Sequence, residues 1–153
     1  MVTTEYLRDE NTHLLFLLPG QSLSPRAFWD FKLPDGKTHA QYFVEAGIDV
    51  IMLDPYGYGK NPKSMNYDRI GYAYQINEVT DKITKKYETK TILGFSSTTA
   101  PALIASEHGF FDKVIIHSPC VRDEERFYVH HGLMFDTSME KLKTERIAKV
   151  SDR

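Results

Sequence analysis

Two kinds of hydrophobic pattern alternate along the chain. Short unbroken apolar runs, stopped by proline or glycine, are separated by stretches in which apolar residues recur at helical spacing. The first run, in "HLLFLLPGQ", carries five apolar residues, Leu14 to Leu18, before Pro19-Gly20. An unbroken run of that length predicts a strand buried on both faces. A polar and aromatic loop, "SLSPRAFWDFKLPDGK", follows it. "THAQYFVEAG" predicts a short helix with Gly47 as its C′ stop. "IDVIMLDP" predicts a second buried strand ended by Asp-Pro, and "YGYGKNPKS" a loop rich in turn residues.

In "GYAYQINEVTDKITKKY", Tyr72, Ile76, Val79, Ile83 and Tyr87 fall on one helical face, which predicts an amphipathic helix over the whole stretch. "KTILGF" predicts a third buried strand. "STTAPALIASEHG" predicts a helix of small and apolar residues with Gly109 just past its end, and "DKVIIHSP" a fourth strand. Strands alternating with helices, without hairpin turns, specify the α/β class. The expected architecture is a three-layer αβα arrangement with a mostly parallel sheet. From Val121 the pattern breaks. "VRDEERFYVHHGLMFD" is charged and aromatic without periodicity. "TSMEKLKTERIAKV" then predicts a helix, with Thr137 and Glu140 in capping-box spacing. No further strand signal follows.

The junction between the third strand and its helix carries the candidate chemistry. "TKTILGFSSTTAPALIAS" places Ser96 and Ser97 at a strand-to-helix turn. A nucleophile held on such a turn exposes its hydroxyl and aims the next N–H at the reacting carbonyl. The turn demands small residues two before and two after the nucleophile. For Ser96 those positions are Gly94 and Thr98; for Ser97 they are Phe95 and Thr99. A phenylalanine in the tight position clashes, so Ser96 is the candidate nucleophile. The motif is G-x-S-x-T, weaker than G-x-S-x-G because Thr98 is bulkier than glycine. An ordinary strand–helix junction with a serine N-cap is the alternative reading of the same residues. Pro101 sits early in the helix, where a missing N–H costs little.

An oxyanion hole needs N–H donors aimed at the charge that develops on the carbonyl oxygen. The Ser97 backbone supplies one candidate. The loop after the first strand, "LLPGQSLS", supplies the other: Gly20 permits a sharp turn, and the N–H of Gln21 follows it. A third motif, "DPYGYGK" from Asp54 to Lys60, has glycines that suit a loop packed beside a site. It is not a dinucleotide fingerprint. Gly57 and Gly59 do not form G-x-G-x-x-G, and Pro62 interrupts the helix that would bind a pyrophosphate.

The order strand, PGQ loop, helix, strand, DPYGYGKNP, helix, strand, GFSST, helix, strand resembles the α/β-hydrolase fold from its third strand to its sixth. The likeness covers about Leu14 to Pro119. Asn61 stands where that family usually has serine, and Pro19 replaces the histidine of its oxyanion loop. The resemblance implies a serine hydrolase acting on a small-molecule acyl substrate, such as a carboxylic ester, through an acyl-serine. Ser96 would be the nucleophile, and the N–H groups of Gln21 and Ser97 the oxyanion hole. No cofactor or metal is expected. Residues 1–120 would form a partial core and 121–153 the start of a lid, with Phe127, Tyr128, Met134 and Phe135 either lining a pocket or packing the lid. The N-terminal segment, Met1 to Thr12, leaves little room for the antiparallel hairpin that usually opens this fold.

The resemblance also places a catalytic acid and a histidine after the lid, and nothing in this sequence matches either. Of six histidines, His13 precedes a strand and so sits at the wrong edge of the sheet. His39 and His108 fall on predicted helices, His117 ends the fourth strand, and His130 and His131 fall in the lid. Asp123 is a candidate acid. The chain therefore reads as a truncated hydrolase core. The alternatives are an inactive hydrolase-like binding domain, or an acyltransferase or peptidase of the same fold. A truncated sheet leaves an edge bare, which points to self-association.

Composition narrows the partners. The 153-residue chain is 41% hydrophobic and 26% charged with net charge −2, leaving no electrostatic footprint for nucleic acid or an anionic membrane. Lys82, Lys85, Lys86 and Lys90 read as a solvated helix face because acidic residues interleave them. Cys120 is the only cysteine, so no internal disulfide forms, which fits a reducing, cytoplasmic setting. No signal peptide is visible in "MVTTEYLRDE", and Leu14–Leu18 is too short to span a bilayer.

Overall fold

The computed structural model describes residues 3–20, 29–55, 61 and 69–117. Among them are strands β1 (Thr3–Tyr6), β2 (His13–Leu17), β3 (Ile48–Leu53), β4 (Thr89–Phe95) and β5 (Lys113–His117). Helices α1 (His39–Glu45), α2 (Arg69–Thr80) and α3 (Thr99–Ser106) connect them, with a single 3-10 turn, Ser96–Thr98, between β4 and α3. The strands form one sheet in the order β1-β3-β2-β4-β5. All pairings are parallel except β1 with β3. The α/β class and the mostly parallel sheet match the hydrophobic pattern.

The unbroken run Leu14–Leu18 serves both faces of the sheet. Leu14, Phe16 and Leu18 pack with Ile51, Leu53 and Ile92 beneath α2 and α3, where Tyr72, Ile76, Val79, Ala102 and Ala105 complete the core. Leu15 and Leu17 pack with Val50 and Met52 against Ala40 and Val44 of α1. Successive strand residues point to opposite faces, so a strand covered on both sides needs apolar residues at every position. Thr38 caps α1 in a capping box with Gln41, and Gly47 follows the helix at φ 90.

The strand order fixes where a site belongs. From β2 the chain passes through α1 to β3 on one side. From β4 it passes through α3 to β5 on the other. The carboxyl ends of the adjacent strands β2 and β4 therefore flank a topological switch point, the usual ligand crevice of an open α/β sheet. Pro19-Gly20 and Ser96-Ser97 lie at those two ends.

Four expectations change. The N-terminal segment does hold an antiparallel strand: β1 pairs Thr3 with Leu53 and Tyr6 with Val50. With four residues, none of them aliphatic, it carries too little apolar pattern to announce itself. The helix expected to run through Tyr87 stops at Thr80. Ile83 and Tyr87 still pack against the core from the segment beyond it. The lysine cluster is not one solvated helix face. Lys85 pairs with the fully buried Asp49 at 2.9 Å, and Lys90 lies on β4, 3.4 Å from Asp112. His108 likewise falls just past α3 rather than on it, 3.3 Å from Asp81. The lid and its helix, Cys120, Asp123, His130, His131 and most of the Tyr56–Ser64 loop lie outside the described residues.

Candidate active site

The site begins with the size of residue 94. A Cβ built on Gly94 would come 2.8 Å from Ala102 Cβ, 2.9 Å from the Thr98 carbonyl oxygen and 3.0 Å from Thr99 Cα. Two of those atoms are backbone, so only glycine lets α3 fold back this closely onto β4. The small residues of "TAPALIAS" serve the same approach: Ala102 and Ala105 are fully buried. Pro101 falls in the first turn of α3, where no intrahelical N–H bond is lost.

The chain reverses at Ser96, whose φ is 53. Among the described residues it is the only non-glycine with positive φ. A serine in the left-handed region costs about 1–2 kcal/mol, and such strain collects at functional sites. Ser96 is half-buried, whereas Ser97 is 4% exposed. The two adjacent serines thus have different environments: Ser96 has solvent access on a strained turn, and Ser97 is sealed beneath it. The Thr99 N–H donates to the Ser96 carbonyl and closes the turn.

Thr98 occupies the position where the sequence motif looked weak. Its side chain does not crowd Gly94; its carbonyl does. Thr98 is 2% exposed, and its hydroxyl accepts from the Phe95 N–H at 2.9 Å. The same oxygen lies 2.7 Å from the Pro19 carbonyl and 3.0 Å from that of Phe95. A hydroxyl has one proton to donate, and Pro19 is the nearer acceptor. Serine and threonine near helix starts often bond local backbone, but this partner is 79 residues away, and no sequence signal pointed to it.

The neighbouring loop is pinned at two further atoms. The Leu18 N–H extends the β2–β4 ladder to the Leu93 carbonyl at 3.0 Å, and the Trp29 indole donates to the Leu18 carbonyl at 2.9 Å. Trp29 also meets Phe95 edge-on at 6.4 Å between centroids, and His117 stacks on Phe95 at 4.9 Å. At the end of β3, Asn61 donates its side-chain amide to the Asp54 carbonyl at 3.1 Å, both residues being buried. Gln21, the expected second oxyanion donor, and the glycines of the Asp54–Lys60 motif lie outside the described residues.

The histidines divide by sheet edge. His13 begins β2, beside Thr89 at 2.7 Å, at the amino ends of the strands. His108 lies beyond the far end of α3. His117 is at the same carboxyl edge as Ser96, because it is paired in register with Phe95. Among the described residues no histidine is hydrogen-bonded to the Ser96 hydroxyl. A hollow of about 310 Å³ opens elsewhere, between β1 and residues 82–87, and no elbow residue lines it. Among the described residues no helix is long and apolar enough to cross a membrane.

No family model matches the sequence, and no curated protein matches it. Solved structures do. The lipase-esterase related protein from Clostridium acetobutylicum superposes with a TM-score of 0.65 at 17% identity, over 86% of this chain and 54% of that one. MenH from S. aureus gives 0.63 at 21% identity, over 84% and 46% respectively. The capsule O-acetyltransferase of Neisseria meningitidis serogroup A gives 0.55 at 11% identity, over 95% and 61%. At such identities the shared property is the fold. The chain spans about half the length of the structures it matches.

Proposed function

Since the chain has the α/β-hydrolase fold, we propose that it contributes the nucleophile half of a serine hydrolase site, with Ser96 attacking the carbonyl of a small carboxylic ester. The observation that carries this reading is the φ of 53 at Ser96, a strained turn at the switch point of the sheet. In the proposed reaction the Ser96 oxygen bonds to the acyl carbon, and its proton passes to a general base of the histidine type supplied by the other half of the site, which returns it to the departing alkoxide. The tetrahedral oxyanion is held by the N–H of Ser97 and the N–H of Gln21, and the alcohol leaves to give an acyl-serine. Water then attacks the acyl carbon, the bond to the Ser96 oxygen breaks, the carboxylic acid leaves, and the hydroxyl is restored. The burial of Ser97 supports its backbone role, since a sealed side chain is a poor nucleophile but holds its N–H rigidly.

A transferase reading has one observation in its favour, the O-acetyltransferase among the structural neighbours. The acyl-serine is common to both readings, and only the acceptor differs. Hydrolysis of p-nitrophenyl acetate and butyrate by the folded 153-residue chain tests the shared step. Ser96→Ala is expected to fall to the rate of buffer, while Ser97→Ala stays within about tenfold of wild type, because alanine keeps the N–H. Equal loss in the two variants, or none in either, would contradict the assignment.

A further inference from the structure

The geometry points to Thr98 as a positioning residue that holds the loop after β2 in register with the elbow. This inference rests on the reading of Ser96 as nucleophile. An oxyanion hole assembled from two separate loops works only if those loops keep a fixed spacing, because a donor displaced by a fraction of an ångström loses much of its effect. Here the two loops are joined by one side-chain atom. The Thr98 hydroxyl accepts from the Phe95 N–H, one residue before Ser96, and donates to the Pro19 carbonyl, one residue before Gly20.

The carbonyl of Pro19 and the N–H of Gly20 belong to one planar peptide. Fixing that carbonyl therefore fixes the plane from which the proposed oxyanion loop departs. Pro19 and Gly20 are buried, and the Leu18 N–H and carbonyl are already held by Leu93 and Trp29. The Thr98 bond thus completes an unbroken series of fixed backbone groups that ends at the loop. With glycine at position 98 the elbow would still turn, because Gly94 relieves the tight contact. What would go missing is the bond across to the neighbouring strand. The departure from G-x-S-x-G is on this account a specific feature of the site.

Three variants of the full chain, Thr98→Val, Thr98→Ser and Ser96→Ala, separate the possibilities. Each is treated with a fluorophosphonate, and the labelling rate constant is read apart from the final labelled fraction. Amide hydrogen exchange at Gly20 is followed in parallel. The expected result is that Thr98→Val reaches the wild-type fraction at a rate lower by roughly 10–100-fold, as for the loss of oxyanion alignment. Gly20 exchange should quicken by about tenfold or more as the peptide is freed. Thr98→Ser keeps the hydroxyl and should restore both values to within about threefold of wild type. A merely structural threonine would lower the labelled fraction and leave the rate constant alone; that result overturns the proposal, as does unchanged Gly20 exchange. If Thr98→Val does not fold, Thr98→Ala carries the same comparison. A folded wild-type chain that is not labelled at Ser96 refutes the nucleophile itself, and the Gly20 measurement then still decides whether the Thr98 bond exists.

Discussion

Ser96 holds a backbone conformation that a serine resists. The surrounding contacts must therefore impose it, and the strain is testable by removing it. Ser96→Gly is expected to raise stability by about 1 kcal/mol, a shift of several degrees in melting temperature for a chain of this size, while abolishing ester hydrolysis. Ser97→Gly, which empties a buried position, is expected to lower it. Calorimetry of the two variants checks the pair, and a fall for both would show that the turn at Ser96 is not strained. At this scale the sequence was informative about volume and silent about partners. The close approach at Gly94 was legible because steric demands are local. The hydroxyl of Thr98 read as excess bulk, because its acceptor on Pro19 lies in another strand loop.

The β4–turn–α3 unit is held by one close approach, and the segment beyond α2 is held by a distant carboxylate. Gly94→Ala is expected to cost on the order of 1–3 kcal/mol, as overpacking against backbone does, and Ala102→Gly in the same chain should recover part of it. Denaturant unfolding of the single and double variants measures the coupling. At α2, Ile83 and Tyr87 keep helical spacing, yet the helix stops at Thr80, whose hydroxyl turns back to the Asn77 carbonyl at 2.9 Å. Beyond it, Lys85 and the Tyr87 hydroxyl both reach Asp49, at 2.9 and 2.8 Å. Burial alone would raise the Asp49 carboxyl. The Lys85 ammonium, the Arg8 N–H and the Tyr87 hydroxyl outweigh burial and hold it below the usual carboxylate range. A lowered folded-state pKa means that this stabilisation is fully present above the unfolded value, ~3.9, and is lost as pH falls through the folded value. The wild-type chain should thus lose stability below about pH 4 more steeply than Asp49→Asn, while Asp49→Asn is less stable at neutral pH. Chemical denaturation between pH 2 and 7 reads both. Periodicity reports a possible face: past Thr80 the backbone tightens to i→i+3 bonds, Lys82 N–H to Val79 and Ile83 N–H to Thr80, and Lys85 then pairs with Asp49, 36 residues away.

Over the whole molecule, the alternation of runs was enough to specify the class and the parallel sheet, since continuous apolar strands and amphipathic connections admit few other arrangements. It did not specify β1, a short edge strand with little apolar content. At the other edge, among the described residues, β5 pairs only with β4, and its Ile115 is 46% exposed. An exposed strand edge can pair with another chain, and the expected effect of Ile115→Lys is reduced concentration-dependent association in sedimentation velocity. An unchanged distribution would exclude that edge as the contact. The strand order carries the larger consequence, because it puts the strained serine and the tethered Pro19-Gly20 loop at adjacent strand ends. The most direct measurement of that arrangement is the position of a covalent adduct. The folded chain is treated with a fluorophosphonate, digested and sequenced by tandem mass spectrometry. A single adduct on Ser96 is expected, absent from Ser96→Ala and retained in Ser97→Ala. An adduct on Ser97 or elsewhere, or an unmodified Ser96 in folded protein, would contradict it.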